Sequence, residues 1–282
     1  MFDAFVLPIL NYGCEVWGFN VHRELERVHL TFCKRILGVK DSASLAGVYG
    51  ELGRFPLYVK RTVNIVKFWF KMVKSDNTVL KTVYHKSFID CVNGENNWVT
   101  RLKTIFDNYG FSYAIDNTDV LDNSFLHLFE ERVKDTFIQN WHEKVNSSSI
   151  LILYKELKST FEIEPYLHFI KSFKLRSNLT KMRISAHNLR INTGRYVRPI
   201  LERINRKCVF CNDNDIEDEF HFILKCSAFA ELRNKFIKKY FFRNNSMYKL
   251  IELFKSNSNS IIRLSKFLSF AKSKRETLLT LT

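Results

Sequence analysis

Glycine and proline are scarce in this chain, which has 9 and 4 of them among 282 residues. Loop-rich folds and all-β folds with many turns use both residues more often, so the composition argues against such folds. Hydrophobic residues make up 46% of the sequence, enough for a sizeable core. The sequence therefore predicts a mainly α fold, arranged as an irregular multi-helix array.

The sequence also lacks a run of about eighteen apolar residues, so we expect no transmembrane helix and no membrane partner. The first thirteen residues are apolar but include Asp3 and lack a basic leader, which predicts a core helix and not a signal peptide. Cys14, Cys33 and Cys91 lie far apart among apolar residues, as free buried thiols do in a reducing compartment. An intracellular protein of the nucleus, the cytoplasm or both is expected.

Motifs of independent catalysis are missing as well. The chain has no Asp-Asp pair of the kind that holds two metal ions for polymerisation, and no Pro-Asp nuclease pair. It has no HExxH motif, no GxSxG motif and no P-loop. Acids such as Glu130, Glu131 and Asp135 are spaced like ordinary charge on a helix surface. The sequence therefore indicates that this chain is not an enzyme by itself.

Apolar residues recur at helical spacing along most of the chain. Residues 21–37 show this period and stop at Gly38, and Pro56 suits the first position of a following helix. Phe220–Leu224 is the best strand signal, and the Ser/Asn-rich stretch Ser256–Ser260 is typical of a linker. The other segments predicted to be helical are 97–107, 124–144, 149–161, 166–175 and 228–241.

Half of the six cysteines and one histidine fall in the stretch CVFCNDNDIEDEFHFILKC, with spacing C-x2-C-x9-H-x4-C. Cys208 and Cys211 can aim two sulfurs at one ion, and His221 and Cys226 complete a tetrahedral zinc set. His221 and Cys226 would be about 140° apart on an α-helix, so a strand or turn is expected to unite them. Four protein ligands predict one structural Zn²⁺ in a small zinc knuckle near the C-terminus. Redox or disulfide use and coincidence are the alternatives.

Five acids lie between the two halves of this cluster. We expect them to form a solvated loop, with a possible role in orienting a metal ligand, and not to be catalytic. They are Asp213, Asp215, Glu217, Asp218 and Glu219.

The segment just before the cluster, residues 171–207, is strongly basic. It has eleven Lys and Arg residues and a single acid, Glu202, within a chain of net charge +15. Such asymmetry favours phosphate contacts with nucleic acid, to which an aromatic residue can add stacking on unpaired bases. A solvated helix face is the alternative, and the segment lacks the apolar face of a membrane-surface helix. The predicted nucleic-acid contacts are Lys174, Arg176, Lys181, Arg183, Arg190, Arg195, Tyr196, Arg198, Arg206 and Lys207.

Four blocks of the sequence, in this order, resemble the C-terminal part of a LINE-type (non-LTR) retrotransposon reverse transcriptase polyprotein. They are LPILNYGCEVWG at 7–18, VYGELGRFPL at 48–57, HNLRINTGRY at 187–196 and the cysteine–histidine cluster at 208–226. The resemblance covers most of the chain. It implies a reverse-transcriptase zinc-binding motif at Cys208, Cys211, His221 and Cys226. Asn192 departs from the family pattern, in which a glutamate is expected.

The family implies an RNA-directed DNA polymerase with an endonuclease, but neither catalytic domain is expected within this chain. The resemblance therefore predicts a non-catalytic fragment that binds zinc structurally and RNA or DNA through its basic segment, beside the remainder of a reverse transcriptase. A domesticated helical protein-interaction module and a chain that completes an enzyme in trans are the alternatives. The expected segments are 1–60 (thumb-like and post-thumb helices), 61–170 (helical linker region), 171–207 (basic), 208–243 (zinc knuckle and following helix) and 244–282 (C-terminal helical tail).

Overall fold

The computed structural model describes residues 1–118 and 122–281. In these residues the chain is mainly helical, as predicted, and its only β-pairings are isolated bridges at Leu52–Ile163 and Lys207–Ile216. The α-helices are α1 (Leu7–Leu10), α2 (Cys14–Trp17), α3 (Arg23–Leu37), α4 (Leu45–Leu52), α5 (Leu57–Lys74), α6 (Thr78–Val92), α7 (Trp98–Tyr109), α8 (Asn123–Ser147), α9 (Ile152–Leu157), α10 (Tyr166–Phe169), α11 (Phe173–Arg183), α12 (Arg190–Thr193), α13 (Ala230–Phe236), α14 (Lys239–Arg243), α15 (Met247–Phe254) and α16 (Ser258–Leu281).

The chain divides into two compact units, neither of which is continuous in sequence. The first comprises Met1–Phe32 and Phe55–His142, and the second comprises Cys33–Arg54 and the residues from Glu143 onward. These units do not follow the five segments drawn from the sequence. Helix α4, for example, belongs to the second unit, where its Glu51 pairs with Arg183 of α11.

The first unit is built around α5. The carboxylate of Glu26 accepts hydrogen bonds from the backbone N–H groups of Leu57 and Tyr58, at 3.0 and 2.7 Å, and so caps the start of this helix. Pro56 precedes the helix and does not take its first position. The buried aromatic residues of this unit's core are Trp69, Phe70, Phe106, Phe111, Phe125 and Phe129.

The second unit has its core between α11 and α16, which pack along each other. Leu179 and Met182 of α11 and Phe267 and Leu268 of α16 are buried there. The same core includes Phe222 from the cysteine–histidine stretch. The candidate metal ligands therefore sit on the main core of the second unit and not on a separate appendage.

The predictions of a strand and of a linker are wrong. Phe220–Leu224 is not a strand, because His221–Lys225 forms a single π-helical turn. A short run that is buried on all sides has no periodicity that separates strand from helix. Ser256–Ser260 is not a linker, because α16 begins inside it and the Asn257 side chain accepts a hydrogen bond from the Ser260 N–H at 3.0 Å.

The predicted helices at 21–37, 97–107 and 124–144 are confirmed as α3, α7 and α8. The helix predicted at 166–175 is interrupted, because the backbone is extended at Ile170 between α10 and α11. The first ten residues are helical, as predicted, but they do not form a core helix. Phe2 is buried, whereas Phe5 and Ile9 are exposed.

Candidate metal centre

The first two cysteines of the cluster lie on a closed loop. Lys207 and Ile216 form an antiparallel bridge at its neck, and the Cys208 N–H donates to the Asp215 carbonyl at 2.8 Å. The loop between these contacts turns tightly enough to bring Cys211 back beside Cys208. The C-x2-C spacing therefore acts as the sequence predicts, with both sulfurs on the same side of the turn.

His221 and Cys226 are joined by the π-helical turn. Asp218 caps its start, because its Oδ1 accepts a hydrogen bond from the His221 N–H at 2.9 Å. At its end the Cys226 N–H donates to the His221 carbonyl at 2.7 Å, which is the i to i+5 bond of a π turn. In this wider turn, residues five apart lie more nearly on the same side of the helix than they would in an α turn. His221 and Cys226 therefore converge without a strand.

The four donor atoms lie within 4.8 Å of one another. Cys208 Sγ is 3.9 Å from Cys226 Sγ, and Cys211 Sγ is 3.3 Å from His221 Nε2. Two thiolates bound at about 2.3 Å to one tetrahedral zinc ion would be roughly 3.8 Å apart. Cys208, His221 and Cys226 are buried and Cys211 is half-buried. These four side chains could hold a metal ion in a closed, four-ligand shell.

The electrostatics of the cluster favour a thiolate at Cys208. The hydrogen bond between the Cys208 and Cys226 thiols lowers the pKa of Cys208 and raises that of Cys226. Burial alone would lower the pKa of His221, but the charges of Cys208 and Asp215 raise it overall. Because the thiolate is the form of cysteine that binds a metal, Cys208 is the ligand that these contacts prepare for a cation, whereas burial raises the pKa of Cys211.

Asp215 is positioned to orient the histidine. His221 Nε2 faces the thiols, while its Nδ1 lies 3.5 Å from Asp215 Oδ2. Lys225 Nζ is 2.6 Å from the same oxygen, and this contact lowers the pKa of Asp215. Metal-binding histidines commonly donate their second N–H to a carboxylate, which fixes the tautomer and the ring orientation.

Replacing Asp215 with asparagine is expected to weaken metal binding about tenfold to a hundredfold, because His221 loses the anion that lies 3.5 Å from its Nδ1. Competition with a chelating indicator dye measures the change in dissociation constant. Glu231→Gln is the matched control, since Glu231 is an exposed acid in the first turn of α13. Equal affinity for the metal in D215N and E231Q would contradict the orienting role.

The prediction of a wholly solvated acidic loop is wrong for Glu217, which is only 1% exposed. Its carboxylate accepts two hydrogen bonds from the Arg275 guanidinium of α16, at 2.7 and 2.9 Å. It also accepts one from the Arg190 N–H at 2.8 Å, and its carbonyl accepts one from the Ile191 N–H at 3.1 Å. Glu217 therefore joins the metal loop to α12 and α16.

Glu219 makes a second connection of this kind. Its Oε1 lies 2.9 Å from His187 Nε2 and accepts a hydrogen bond from Ser185 Oγ at 2.7 Å. Burial alone would raise the pKa of Glu219, but the contacts with His187 and Ser185 lower it overall. Asp213, by contrast, is exposed as predicted. The five acids thus have four roles: Asp213 is surface charge, Asp215 lies beside the histidine, Asp218 caps the π turn, and Glu217 and Glu219 anchor residues 185–191.

Most of the basic segment faces solvent. Nine of its eleven Lys and Arg residues are exposed or half-buried. Arg195 is braced, because its guanidinium donates to the Ser149 carbonyl at 2.8 Å. Among the predicted contacts, Lys174, Tyr196 and Arg198 are exposed, and Arg176, Lys181, Arg190, Arg195 and Lys207 are half-buried.

Two of the predicted nucleic-acid contacts, Arg183 and Arg206, are buried in the second unit. Arg183 is 3% exposed and donates to both oxygens of Glu51, at 3.0 and 3.1 Å. Arg206 is 8% exposed and donates to the carbonyls of Ile191 and Leu201, at 2.9 and 2.8 Å. Both guanidinium groups brace the segment from inside, so the prediction that they contact a partner is wrong.

Three cations that complete this region come from distant parts of the chain, and sequence reasoning missed them. Arg275 holds Glu217, and burial together with the charges of Lys272 and Lys40 lowers the pKa of Lys181. Lys40 precedes the basic segment by well over a hundred residues, and the other two lie far beyond its end. The packing of α11 against α16 brings Lys272 and Arg275 to it, and Lys40 reaches it from the connection between α3 and α4.

Comparisons of this chain with protein-family models, with curated proteins and with solved structures gave no match. Within the part of the chain that the structure describes, no helix has the length and apolarity needed to span a membrane.

Proposed function

We propose that this chain is a non-catalytic, nucleic-acid-binding region from the C-terminal part of a LINE-type reverse transcriptase polyprotein, with RNA or single-stranded DNA as its ligand. One observation carries the proposal: nine cations of residues 171–207 reach solvent, and none forms an ion pair within the described residues. Unpaired surface cations bind a phosphate backbone by displacing its counterions. The order of the four sequence blocks supports the retrotransposon origin.

The proposed metal is zinc, in a structural role. Three cysteines and one histidine form a standard zinc set, and their sulfur and nitrogen donors suit zinc better than magnesium or calcium, which prefer oxygen. All four tetrahedral positions belong to protein side chains, so no position remains for a water or a substrate. When bound, the ion would cross-link the loop at Cys208 to the π turn at His221.

The proposed purpose of this cross-link is to brace the basic segment. Glu217 and Glu219 lie between the paired metal ligands, and they hold the backbone at Arg190 and the side chains at Ser185 and His187. Since the metal loop fixes those acids, it also fixes the backbone from which Arg190 and Arg195 project. The metal site thereby pre-organises a cationic surface for a polyanion.

The salt dependence of binding tests the proposal. The triple variant Lys171→Ala, Lys174→Ala and Arg198→Ala removes three exposed cations of the segment. If each contacts one phosphate of a single strand, the slope of log K against log salt is expected to fall in magnitude by about 2. Filter binding of a single-stranded RNA at several salt concentrations measures this slope.

A charge-matched control separates specific contacts from net charge. Lys60→Ala, Lys81→Ala and Lys103→Ala remove three exposed lysines of the first unit and change the net charge equally. The control is expected to keep the wild-type slope. Identical slopes in all three proteins would refute the assignment of the surface. Binding to an acidic protein but to no nucleic acid would favour the interaction-module alternative.

A further inference from the structure

The second unit contains a cavity of about 640 Å³ between α11, α16 and residues 186–201. This volume lies within the range of small-molecule sites. Its walls are largely apolar and include Met182, Leu189, Phe222 and Leu268. We call it the α11–α16 cavity. Nothing in the proposed function above uses it, although Arg190 of the basic segment also lines it.

A buried amide lines this cavity. Asn178 is in the middle of α11, where asparagine is a poor helix former, and it is 7% exposed. Among the residues that the structure describes, its side-chain amide has no hydrogen-bond partner, although neighbouring Ser177 and Thr180 both have one. The amide oxygen and nitrogen are therefore available, from the cavity, to a ligand that offers both a donor and an acceptor.

Cations gather around the same cavity. Lys40, Lys181 and Lys272 line it together with Arg190, and the acid that lines it beside them is Glu276. Glu276 is 3.8 Å from Lys272, and Lys40 Nζ donates to Asn188 at 2.8 Å. The half-buried Lys181 has its pKa lowered by burial and by the charges of Lys272 and Lys40. The pocket therefore favours a ligand that has an anionic group.

Two further titratable side chains line the cavity but are already engaged. Arg275 is held by the carboxylate of Glu217, and His187 contacts Glu219. Both are therefore occupied in holding the metal loop. Lys40, Lys181 and Arg190 are the cations of the cavity that have no carboxylate partner among the described residues.

We propose that the α11–α16 cavity binds one unstacked nucleotide, with its base between the apolar walls and beside the Asn178 amide, and its phosphate at Lys181. A nucleobase has flat apolar faces and an edge with both donors and acceptors, as the amide requires. A fatty acid would leave the Asn178 amide without a hydrogen-bond partner, and inorganic phosphate would not fill the apolar part of the cavity. The inference deepens the proposed function, since the nucleotide can belong to a bound strand.

The test uses the full chain and two probes, free adenosine 5′-monophosphate and a short single-stranded oligonucleotide with one 2-aminopurine. Asn178→Leu keeps the side-chain volume and removes both polar atoms. It is expected to weaken binding of each probe about tenfold, by analogy with other lost buried hydrogen bonds. Fluorescence of 2-aminopurine reports the strand, and calorimetry reports the free nucleotide.

Two controls accompany this variant. Asn234→Leu makes the same substitution at an exposed position of α13 and is expected to leave both affinities unchanged. Asn178→Leu is expected to unfold at the wild-type temperature or above it, because the Asn178 side chain makes no hydrogen bond within the described residues and leucine is the better helix former in α11. A loss of affinity in a variant of unchanged or higher melting temperature then reports the site and not the fold.

A second variant tests the phosphate contact. In the wild type, adenosine 5′-monophosphate is expected to bind roughly tenfold more tightly than adenosine, in line with a charge-assisted hydrogen bond. Lys181→Gln is expected to bring that ratio close to one while leaving adenosine affinity unchanged. An unchanged ratio would overturn the assignment of Lys181 to the phosphate.

The remaining outcomes separate this inference from the proposed function. If N178L binds both probes like the wild type, while the variant lacking Lys171, Lys174 and Arg198 binds the strand weakly, the cavity inference fails and the proposed function stands. If the free nucleotide binds with Asn178 dependence and the strand does not bind, the cavity site stands with a free nucleotide as its source, and the proposed function fails. Competition by decanoate that is equal in N178L and wild type would identify an apolar acid and overturn the inference.

Discussion

Replacing Cys226 with serine is expected to abolish tight metal binding and to destabilise the second unit severely. Cys226 is fully buried in the core, and its sulfur lies 3.9 Å from that of Cys208. Apparent binding free energies of structural zinc are about 10–16 kcal/mol in zinc-finger peptides, which is comparable to the entire stability of a domain. We therefore expect the metal-binding loop and the π turn to lose their fixed structure when this ligand is removed.

Native mass spectrometry is the direct measurement, and the wild type is expected to retain one zinc ion per chain that C226S lacks. Cys91→Ser is the matched control, because Cys91 is a half-buried free cysteine of the first unit and not part of the cluster. It is expected to keep the metal and the wild-type melting temperature. A strong chelator should reproduce the C226S phenotype in the wild type. Retention of one zinc ion by C226S would disprove this ligand set.

Replacing Arg183 with alanine is expected to lower the free energy of unfolding of the second unit by about 3–5 kcal/mol. Arg183 pairs with Glu51, which is completely buried, and its second nitrogen lies 2.8 Å from Glu164. Tyr166 donates to the same Glu51 carboxylate and contacts Thr180 at 2.6 Å. Removal of the guanidinium leaves Glu51 as an uncompensated buried charge, which is the costly way to break a buried pair.

The pH dependence of this loss identifies its cause. Burial already raises the pKa of Glu51 above its ordinary value of 4.5, while Arg183 opposes the rise. Without Arg183 the pKa rises further, so the folded state binds a proton that the unfolded state releases above pH 4.5. Because the pKa of Glu51 is raised in the wild type as well, the extra destabilisation of R183A is expected to grow only once the pH exceeds the wild-type pKa of Glu51, which lies above 4.5, and to shrink below that pKa.

Urea unfolding at several pH values, followed by circular dichroism, measures both effects. Lys174→Ala is the matched control, since Lys174 is an exposed cation of the same helix α11. It is expected to change stability by less than about 0.5 kcal/mol at any pH. The double variant Arg183→Met and Glu51→Gln is expected to recover part of the loss, because neither side chain is charged. A pH-independent loss in R183A would point to lost packing instead.

The cysteine–histidine spacing was sufficient to predict the candidate ligands, because two cysteines separated by two residues form a local turn. The way in which His221 and Cys226 meet was predicted wrongly. In the sequence FHFIL, apolar residues would face both sides of a strand and would surround a helix. The pattern therefore does not distinguish a strand from a helix and did not reveal a π turn. That turn depends on burial of Phe222, Ile223 and Leu224 in the core of the second unit.

The positions of charged side chains in the basic segment were also only partly predictable from the sequence. Its composition predicted a cationic surface, and nine of the eleven cations do reach solvent. Arg183 is buried because Glu51, which is remote from it in sequence, accepts its hydrogen bonds. Arg206 is buried because the fold places two backbone carbonyls around its guanidinium group. Within a run of basic residues, the local sequence does not distinguish an arginine that is buried and hydrogen-bonded from one that is exposed on the surface.

By itself, the sequence determined the helical character of this protein, the identity of the four candidate metal ligands and the placement of positive charge before them. These properties depend on composition and on spacings of a few residues, which local backbone geometry converts directly into structure. Only the tertiary structure decided that Glu217 is an anchor and not a surface acid, and that Asn178 lines a cavity beside Lys40 and Lys272. Those contacts join helices and loops that are distant in sequence, and only packing of the core determines which of their residues meet.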